Sequence, residues 1–300
     1  MQENINLGAR SSFKIGGKCQ YFFEVHNVEE LEEALVWAEE RKIKPLILGD
    51  MTNVLLPDEE LRMVIKMSPQ AKIINKNNEV AVWAGNKIAQ FAWQMIQEGY
   101  QGLEEFTSLP GTVGGAVWNN AHFGNKFISE VLKEVKYYNC ETKTYVIKKR
   151  RELNFAYDKS WFQNHKVIIV EAVFNLKKTN DLDLITQKAL EIAQFRKISQ
   201  PYEFPSAGCF WQNVPNSESL KKLFPQFQKQ NMISAGFLID QAGLKGKKVG
   251  EAQVSEKHAS FIINRGKATA NEVKTLAQMV RDEVKNKFGV KLQTEVVIVE

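Results

Sequence analysis

Apolar residues recur along this chain with two different periods, and the period changes from segment to segment. Asn27 followed by Val28-Glu29-Glu30-Leu31 offers a capping side chain and then acids over a first helical turn. Leu31, Leu35 and Ala38 continue one apolar face, which predicts a helix running to about Arg41. Pro45-Leu46-Ile47-Leu48 reads as a short buried strand that enters the polar loop Gly49-Asp50-Met51-Thr52-Asn53. Val64–Met67 and Glu79–Ala84 have strand character, and a helix is predicted from Lys87 to Glu98. Val131–Tyr138, Thr144–Lys148 and Lys166–Leu176 read as strands of a meander, followed by a helix over Leu182–Arg196. Beyond about Gln200 the chain behaves as a separate unit. It opens with turn-rich Gln200-Pro201-Tyr202-Glu203-Phe204-Pro205, has helices near Ala235–Ala242 and Ala270–Phe288, and closes in a strand over Glu295–Val299. Strands and helices mix without strict alternation, so the class expected is α+β rather than a doubly wound sheet.

Composition bounds this picture without changing it. A chain of 300 residues, 44% hydrophobic and 25% charged, can bury a sizeable core, and two or three domains are expected. The opening Met1-Gln2-Glu3-Asn4-Ile5-Asn6-Leu7 lacks the basic and apolar regions of a signal peptide, and no apolar run is long enough to span a bilayer. Cys19, Cys140 and Cys209 have neither close pairing nor metal-ligand spacing, so no metal is expected and a reducing cytoplasm is the compartment predicted. The formal charge of +5 is spread along the chain rather than gathered into a stripe, which argues against a nucleic-acid partner.

The chemistry-bearing feature is Pro110-Gly111-Thr112-Val113-Gly114-Gly115-Ala116. Glycine permits positive φ and close approach, and successive amides of such a turn can converge on an anion. Thr112 adds a hydroxyl within reach of a phosphate oxygen. No lysine follows the last glycine, so this is not a Walker loop, and the spacing is not that of a Rossmann fingerprint. A tight structural turn explains an isolated glycine cluster equally well. The second loop, Gly49 to Asn53, follows a buried strand where ligand loops are often placed.

Taken in order, these segments resemble the UDP-N-acetylenolpyruvoylglucosamine reductases, also called UDP-N-acetylmuramate dehydrogenases, in the shorter subtype without a tyrosine-bearing substrate loop. The resemblance runs through Ser12-Phe13-Lys14-Ile15-Gly16-Gly17, Gly49–Asn53, Gly102-Leu103-Glu104, Pro110–Ala116, Asn120-Ala121, and Phe155-Ala156-Tyr157 with Ser160. It continues through Pro205–Phe210 with Asn213, Ala235–Ile239, Ala242–Gly246, Lys257-His258-Ala259 to Asn264, Ala268-Thr269-Ala270, Phe288-Gly289-Val290 and Glu295-Val296. It implies a two-subdomain FAD-binding fold of the vanillyl-alcohol-oxidase type, over residues 1–68 and 69–199, plus a C-terminal α+β substrate domain over 200–300. It also implies that NADPH reduces the flavin, and that hydride passes to the enolpyruvyl double bond of a UDP-sugar in peptidoglycan precursor synthesis. A monomer without membrane or nucleic-acid partners is expected.

The same resemblance suggests roles for individual residues. The FAD site would comprise Gly49, Asp50, Met51, Thr52, Asn53, Pro110, Gly111, Thr112, Gly114, Gly115, Ala116 and Asn120. Hydride addition leaves charge on the α-carbon and carboxylate, and the α-carbon must then take a proton. The family's proton donor is a serine, and Cys209 stands there in this chain. A thiol, with a reference pKa of ~8.5, is a stronger acid than an alcohol, so Cys209 can serve, with Glu295 as its partner; a small buried cysteine is the alternative. Tyr157, Arg196, Lys197 and Asn213 match substrate-contacting positions, although a solvated helix end explains Arg196 and Lys197 almost as well. His258 is expected to be a core histidine.

Several positions depart from the pattern. Where the family has an arginine after the tyrosine, this chain has Asp158, of opposite sign. Lys159 has the right sign and is the candidate replacement, though on a strand it would face the other way. Met51 occupies a glycine position, where left-handed geometry would cost on the order of 1–2 kcal/mol. His122-Phe123-Gly124 replaces a longer glycine-bearing segment, and Gln212 and Val214 replace a lysine and a proline. Val214–Ser234 is somewhat extended and is expected to form a small lid. A flavoprotein of the same fold with another substrate, and a paralogue that binds a UDP-sugar or flavin without turnover, remain as alternatives.

Overall fold

Asn27 caps its helix as the sequence predicts: the side chain accepts from the Glu30 amide, and Leu31, Ala34 and Ala38 bury one face of α1 (Val28–Glu40). A computed structural model of the chain describes residues 1–70, 73–76 and 78–300. It divides into two units. The first comprises Met1–Ile5, Cys19–Asp50 and Arg62–Ile198; the second comprises Asn6–Lys18, Met51–Leu61 and Ser199–Glu300. Two short N-terminal segments therefore belong with the C-terminal third.

In the first unit, a four-stranded sheet has the order Gln2–Asn6, Lys18–Val25, Leu61–Met67, Leu46–Leu48, its last two strands parallel. A five-stranded antiparallel sheet has Leu132–Asn139 beside both Thr144–Lys149 and Val167–Asn175, followed by Glu79–Trp83 and Ile73–Lys76. This corrects the meander. The third strand pairs with the first, not the second, and Thr144–Lys149 becomes an edge. Its exposed, lysine-bearing pattern suits an edge, where charge discourages further pairing. The apolar side of the sheet, including Val80, Val82, Val135, Val170 and Phe174, packs with Phe91 and Met95 of α2 (Ile88–Gln97) and Val113 and Val117 of α3 (Val113–Asn119). The long helix α4 (Leu182–Ser199) buries Ile185 and Ala189 against Ile96 and Trp93.

The second unit is built on an antiparallel sheet ordered Ser206–Cys209, Phe261–Asn264, Ala252–Val254, Lys248–Val249. The excursion expected to form a lid starts and ends in paired strands, Val214–Pro215 with Met232–Ile233, and carries α5 (Glu218–Leu223). Phe224 and Phe227 pack edge-on against Phe237 of α6 (Ala235–Gln241), so the excursion is rooted in the unit's core. α7 (Ala270–Phe288) closes that core with Val273, Leu276, Val280 and Val284. The carboxylate of Asp58 caps α7 by accepting from the amides of Ala270 and Asn271 at 2.9 and 3.2 Å. The predicted C-terminal strand shrinks to Val297–Ile298, parallel to Val54–Leu55. Among the described residues, no helix is long and apolar enough to cross a membrane.

Candidate functional site

The two glycine-bearing loops of the first unit touch. A Cβ on Gly49 would collide with the Thr112 hydroxyl, so only glycine permits the approach. Gly111 takes φ +114°, a conformation that side chains rarely adopt. In place of the open turn expected after it, residues Val113–Asn119 form α3, and the amides expected to converge on an anion are used inside the chain. Val113 donates to the Asn86 carbonyl, Gly114 to Ala84, Gly115 to the Thr112 hydroxyl and Ala116 to the Thr112 carbonyl. Thr112 is thus the N-cap of α3. Gly114 serves packing, since a Cβ there would press on Ala84.

The amides left over lie one step earlier. Thr112 and Lys87 form a bridge pair flanked by bonds from Ile88 to the Gly111 carbonyl and from Val113 to the Asn86 carbonyl. In that pattern the amides of the bridged residues point away from each other, while their carbonyls accept from Phe91 and Ala116. Among the described residues, none accepts from the amides of Gly111, Thr112 or Asp50. Lys87, which no sequence signal singled out beyond its place before a helix, ion-pairs with Asp50 of the first loop. Unpaired amides on two touching loops, beside a carboxylate already paired with a lysine, form a donor set suited to a diphosphate.

Asn120 ends α3 in the left-handed region (φ +50°) and donates to the Ala156 carbonyl at 2.8 Å, while its Oδ1 is buried without a partner. Ala156 and Lys159 exchange backbone hydrogen bonds across a two-residue turn, so Tyr157-Asp158 is a hairpin corner rather than part of a strand. Asp158 takes φ +50°, a conformation aspartate tolerates better than most residues. The corner leaves Lys159 exposed and turns Asp158 and Ser160 inward. Ser160 Oγ donates to the Trp118 carbonyl at 2.5 Å. The Asp158 side chain is 1% exposed, neither oxygen has a hydrogen bond, and His122 Nε2 lies 3.4 Å from Oδ1. The His122 ring also packs against Tyr157 and Phe127 at 4.8 and 5.1 Å. Two departures from the family pattern, 36 residues apart, therefore meet in one buried contact. Arg196 is buried rather than solvated, with its guanidinium 5.5 Å from the Phe123 ring, whereas Lys197 is exposed.

In the second unit, Gly208 takes φ +81° beside an irregularity in the pairing of Ser206–Cys209, and Cys209 is half-buried. The next residues pair with the C-terminal segment. Gln212 donates to the Gln293 carbonyl, Glu295 donates to the Phe210 carbonyl, and Trp211 bridges Thr294. This register places Glu295 opposite Phe210, one residue from Cys209. The Glu295 carbonyl accepts from the Asn53 side chain at 3.3 Å, which ties the first loop's end into this unit. Met51 holds φ +54° with a buried side chain, so the left-handed geometry persists without glycine. Asn213 Oδ1 accepts from the Ala235 amide at the start of α6. His258 accepts from the Ser260 amide and stacks edge-on against Phe261, and burial pushes its imidazole below the usual range.

These features define a class: an α+β body in which two glycine-bearing loops meet, followed by a C-terminal α+β domain. Residues 19–146 match the model of an FAD binding domain, and residues 200–299 match that of the UDP-N-acetylenolpyruvoylglucosamine reductase C-terminal domain. The chain is 35% identical to the UDP-N-acetylenolpyruvoylglucosamine reductase of Chlamydia felis over all of its length and 94% of the relative's. It is 33% identical to the Clostridium novyi enzyme of that name over 92% of the relative. The crystal structure of UDP-N-acetylenolpyruvylglucosamine reductase from Thermus caldophilus superposes with a TM-score of 0.79 at 27% identity, covering 99% of this chain and 98% of that one. The chain belongs to the UDP-N-acetylenolpyruvoylglucosamine reductase family.

Proposed function

We propose that this chain reduces UDP-N-acetylglucosamine enolpyruvate to UDP-N-acetylmuramate at the expense of NADPH, an oxidoreductase step of peptidoglycan precursor synthesis. The observation that carries the reading is the contact of Gly49 with Thr112, with amides left unpaired on both loops, within a chain that matches such reductases from end to end. Gly49, Asp50, Gly111 and Thr112 would hold the FAD diphosphate. When bound, FAD supplies the hydride, taken from NADPH, that adds to the β-carbon of the enolpyruvyl group.

The remaining work falls to side chains. Cys209 is assigned the proton delivered to the α-carbon, and Glu295 the polarisation of that donor. Tyr157, Arg196 and Asn213 are assigned to the UDP-sugar. Lys159 remains the sequence's candidate for countering the developing carboxylate charge, an assignment that rests on its position in the motif alone. We place the reaction in the cytoplasm, on a monomer, upstream of wall assembly and hence of cell shape and division.

The absorbance spectrum of the purified protein is the first test, since bound FAD makes it yellow. NADPH should bleach that colour anaerobically, and the enolpyruvyl UDP-sugar should restore it. A colourless protein that also takes up no added FAD sinks the reading. Cys209→Ala should slow the substrate-driven reoxidation at least a hundredfold, by the usual yield of a positioned acid, while leaving bleaching by NADPH unchanged. Equal reoxidation rates would remove Cys209 from its role.

A further inference from the structure

A carboxylate is an unfavourable neighbour for a diphosphate, yet Asp50 sits in the first of the two touching loops with a side chain only 10% exposed. Among the described residues, Lys87 is the cation paired with it, and Lys87 is also the residue bridged to Thr112 in the second loop. One lysine thus spans both loops, through its backbone on one side and its ammonium on the other. Its side chain is 35% exposed, and it stands at the N-terminus of α2, where no side chain caps the helix. The field at that end of a helix favours anions.

From this arrangement we infer that Lys87 is the charge-balancing residue of the dinucleotide site: it cancels Asp50, so that the two loops present a neutral-to-positive face to the diphosphate. The inference rests on the FAD reading above and concerns affinity rather than turnover. It makes Lys87 a positioning residue, distinct from the backbone donors that would touch the phosphate oxygens. It also fixes the sign of each substitution. Removing the lysine exposes the diphosphate to an uncompensated carboxylate. Removing the carboxylate releases the ammonium to face the ligand. Removing both restores near-neutrality.

The experiment is FAD binding to flavin-stripped protein, followed by quenching of flavin fluorescence at low and high salt, with riboflavin, which lacks the diphosphate, as a second probe. Lys87→Met should raise the Kd for FAD by on the order of ten- to a hundredfold at low salt, because it strands a nearly buried charge. Screening of a partly exposed site should shrink that loss at high salt. Asp50→Asn alone should bind FAD several-fold more tightly than wild type, and Lys87→Met with Asp50→Asn should return to within about threefold of it. Lys87→Arg should match wild type, and no variant should change riboflavin affinity. Asp50→Asn keeps the inference testable should Lys87→Met fail to fold. The inference is overturned if Lys87→Met binds FAD like wild type, if the double variant is as weak as the single, or if Asp50→Asn weakens binding. Wild-type protein that binds no FAD removes the functional reading as well, whereas wild-type binding with unaltered variants removes this inference alone.

Discussion

Replacing His122 with alanine removes the imidazole from a carboxylate that has nowhere else to turn. Asp158 is 1% exposed at its side chain, and its oxygens have no hydrogen bond. Removing the one polar neighbour of a buried acceptor leaves it with its full desolvation penalty, about 1–3 kcal/mol and more for a charged group. The variant also loses the ring packed on Tyr157 and Phe127, so we expect about 2–4 kcal/mol in all. In a unit of this size that corresponds to a drop of about 5–15 °C in Tm. Asp158→Asn should cost less than about 1 kcal/mol, since a neutral amide of the same shape needs no counter-charge. The double variant should recover most of the loss. Thermal unfolding followed by circular dichroism at neutral pH, with urea titration as a second measure, separates these outcomes. A Tm within about 2 °C of wild type for His122→Ala, or a double variant no better than the single, would refute the reasoning.

Three further outcomes concern other sites. Met51→Gly relieves a left-handed residue by about 1–2 kcal/mol but discards a buried side chain worth more, so urea unfolding should show a net loss of about 1–3 kcal/mol; a gain would mean strain dominates. Asp58→Ala should destabilise the second unit by about 1 kcal/mol through α7, measured by hydrogen exchange along that helix, and unchanged protection of the Ala270 and Asn271 amides would contradict it. Burial holds the folded-state pKa of His258 below the ordinary 6.5, so below that pH the unfolded chain binds more protons. Its contribution is therefore intact above pH ~6.5 and is lost as the pH falls through and below that value, and His258→Gln should flatten the decline in urea midpoint between about pH 7 and 5.

Local signals carried much of this structure. Asn27 with its acidic turn delimits α1, and Thr269 with Glu272 forms the capping box that starts α7. The apolar runs ending in Leu48 and beginning at Val167 became strands. The failures share a physical cause, which is contact between residues distant in sequence. Gly114-Gly115 is a poor helix sequence, and α3 forms there because the glycine allows its first turn to rest on Ala84. The reversed order of Thr144–Lys149 depends on which strand Val167–Asn175 selects as neighbour, and alternation alone does not encode that choice. The glycine loops were visible one at a time, whereas their contact was not. Asp158 read as a sign error until its turn geometry placed it against His122, and Lys87 carried no signal until its partners were known.

The threading of the second unit bears on how the protein is made. Its core needs Phe13, Ile15 and Leu55, which leave the ribosome early, together with Leu292 and Val296, which leave last. The 137-residue stretch Arg62–Ile198, synthesised between them, can acquire its five-stranded sheet while those early apolar side chains still await their partners. Synthesis should therefore pass through an interval in which one half is native and the other adhesive, so a chaperone that shields the nascent N-terminus would raise the yield of soluble protein. For the same reason, a fragment cut to begin at residue 200 should collapse without a native core unless the two missing N-terminal pieces are supplied in trans.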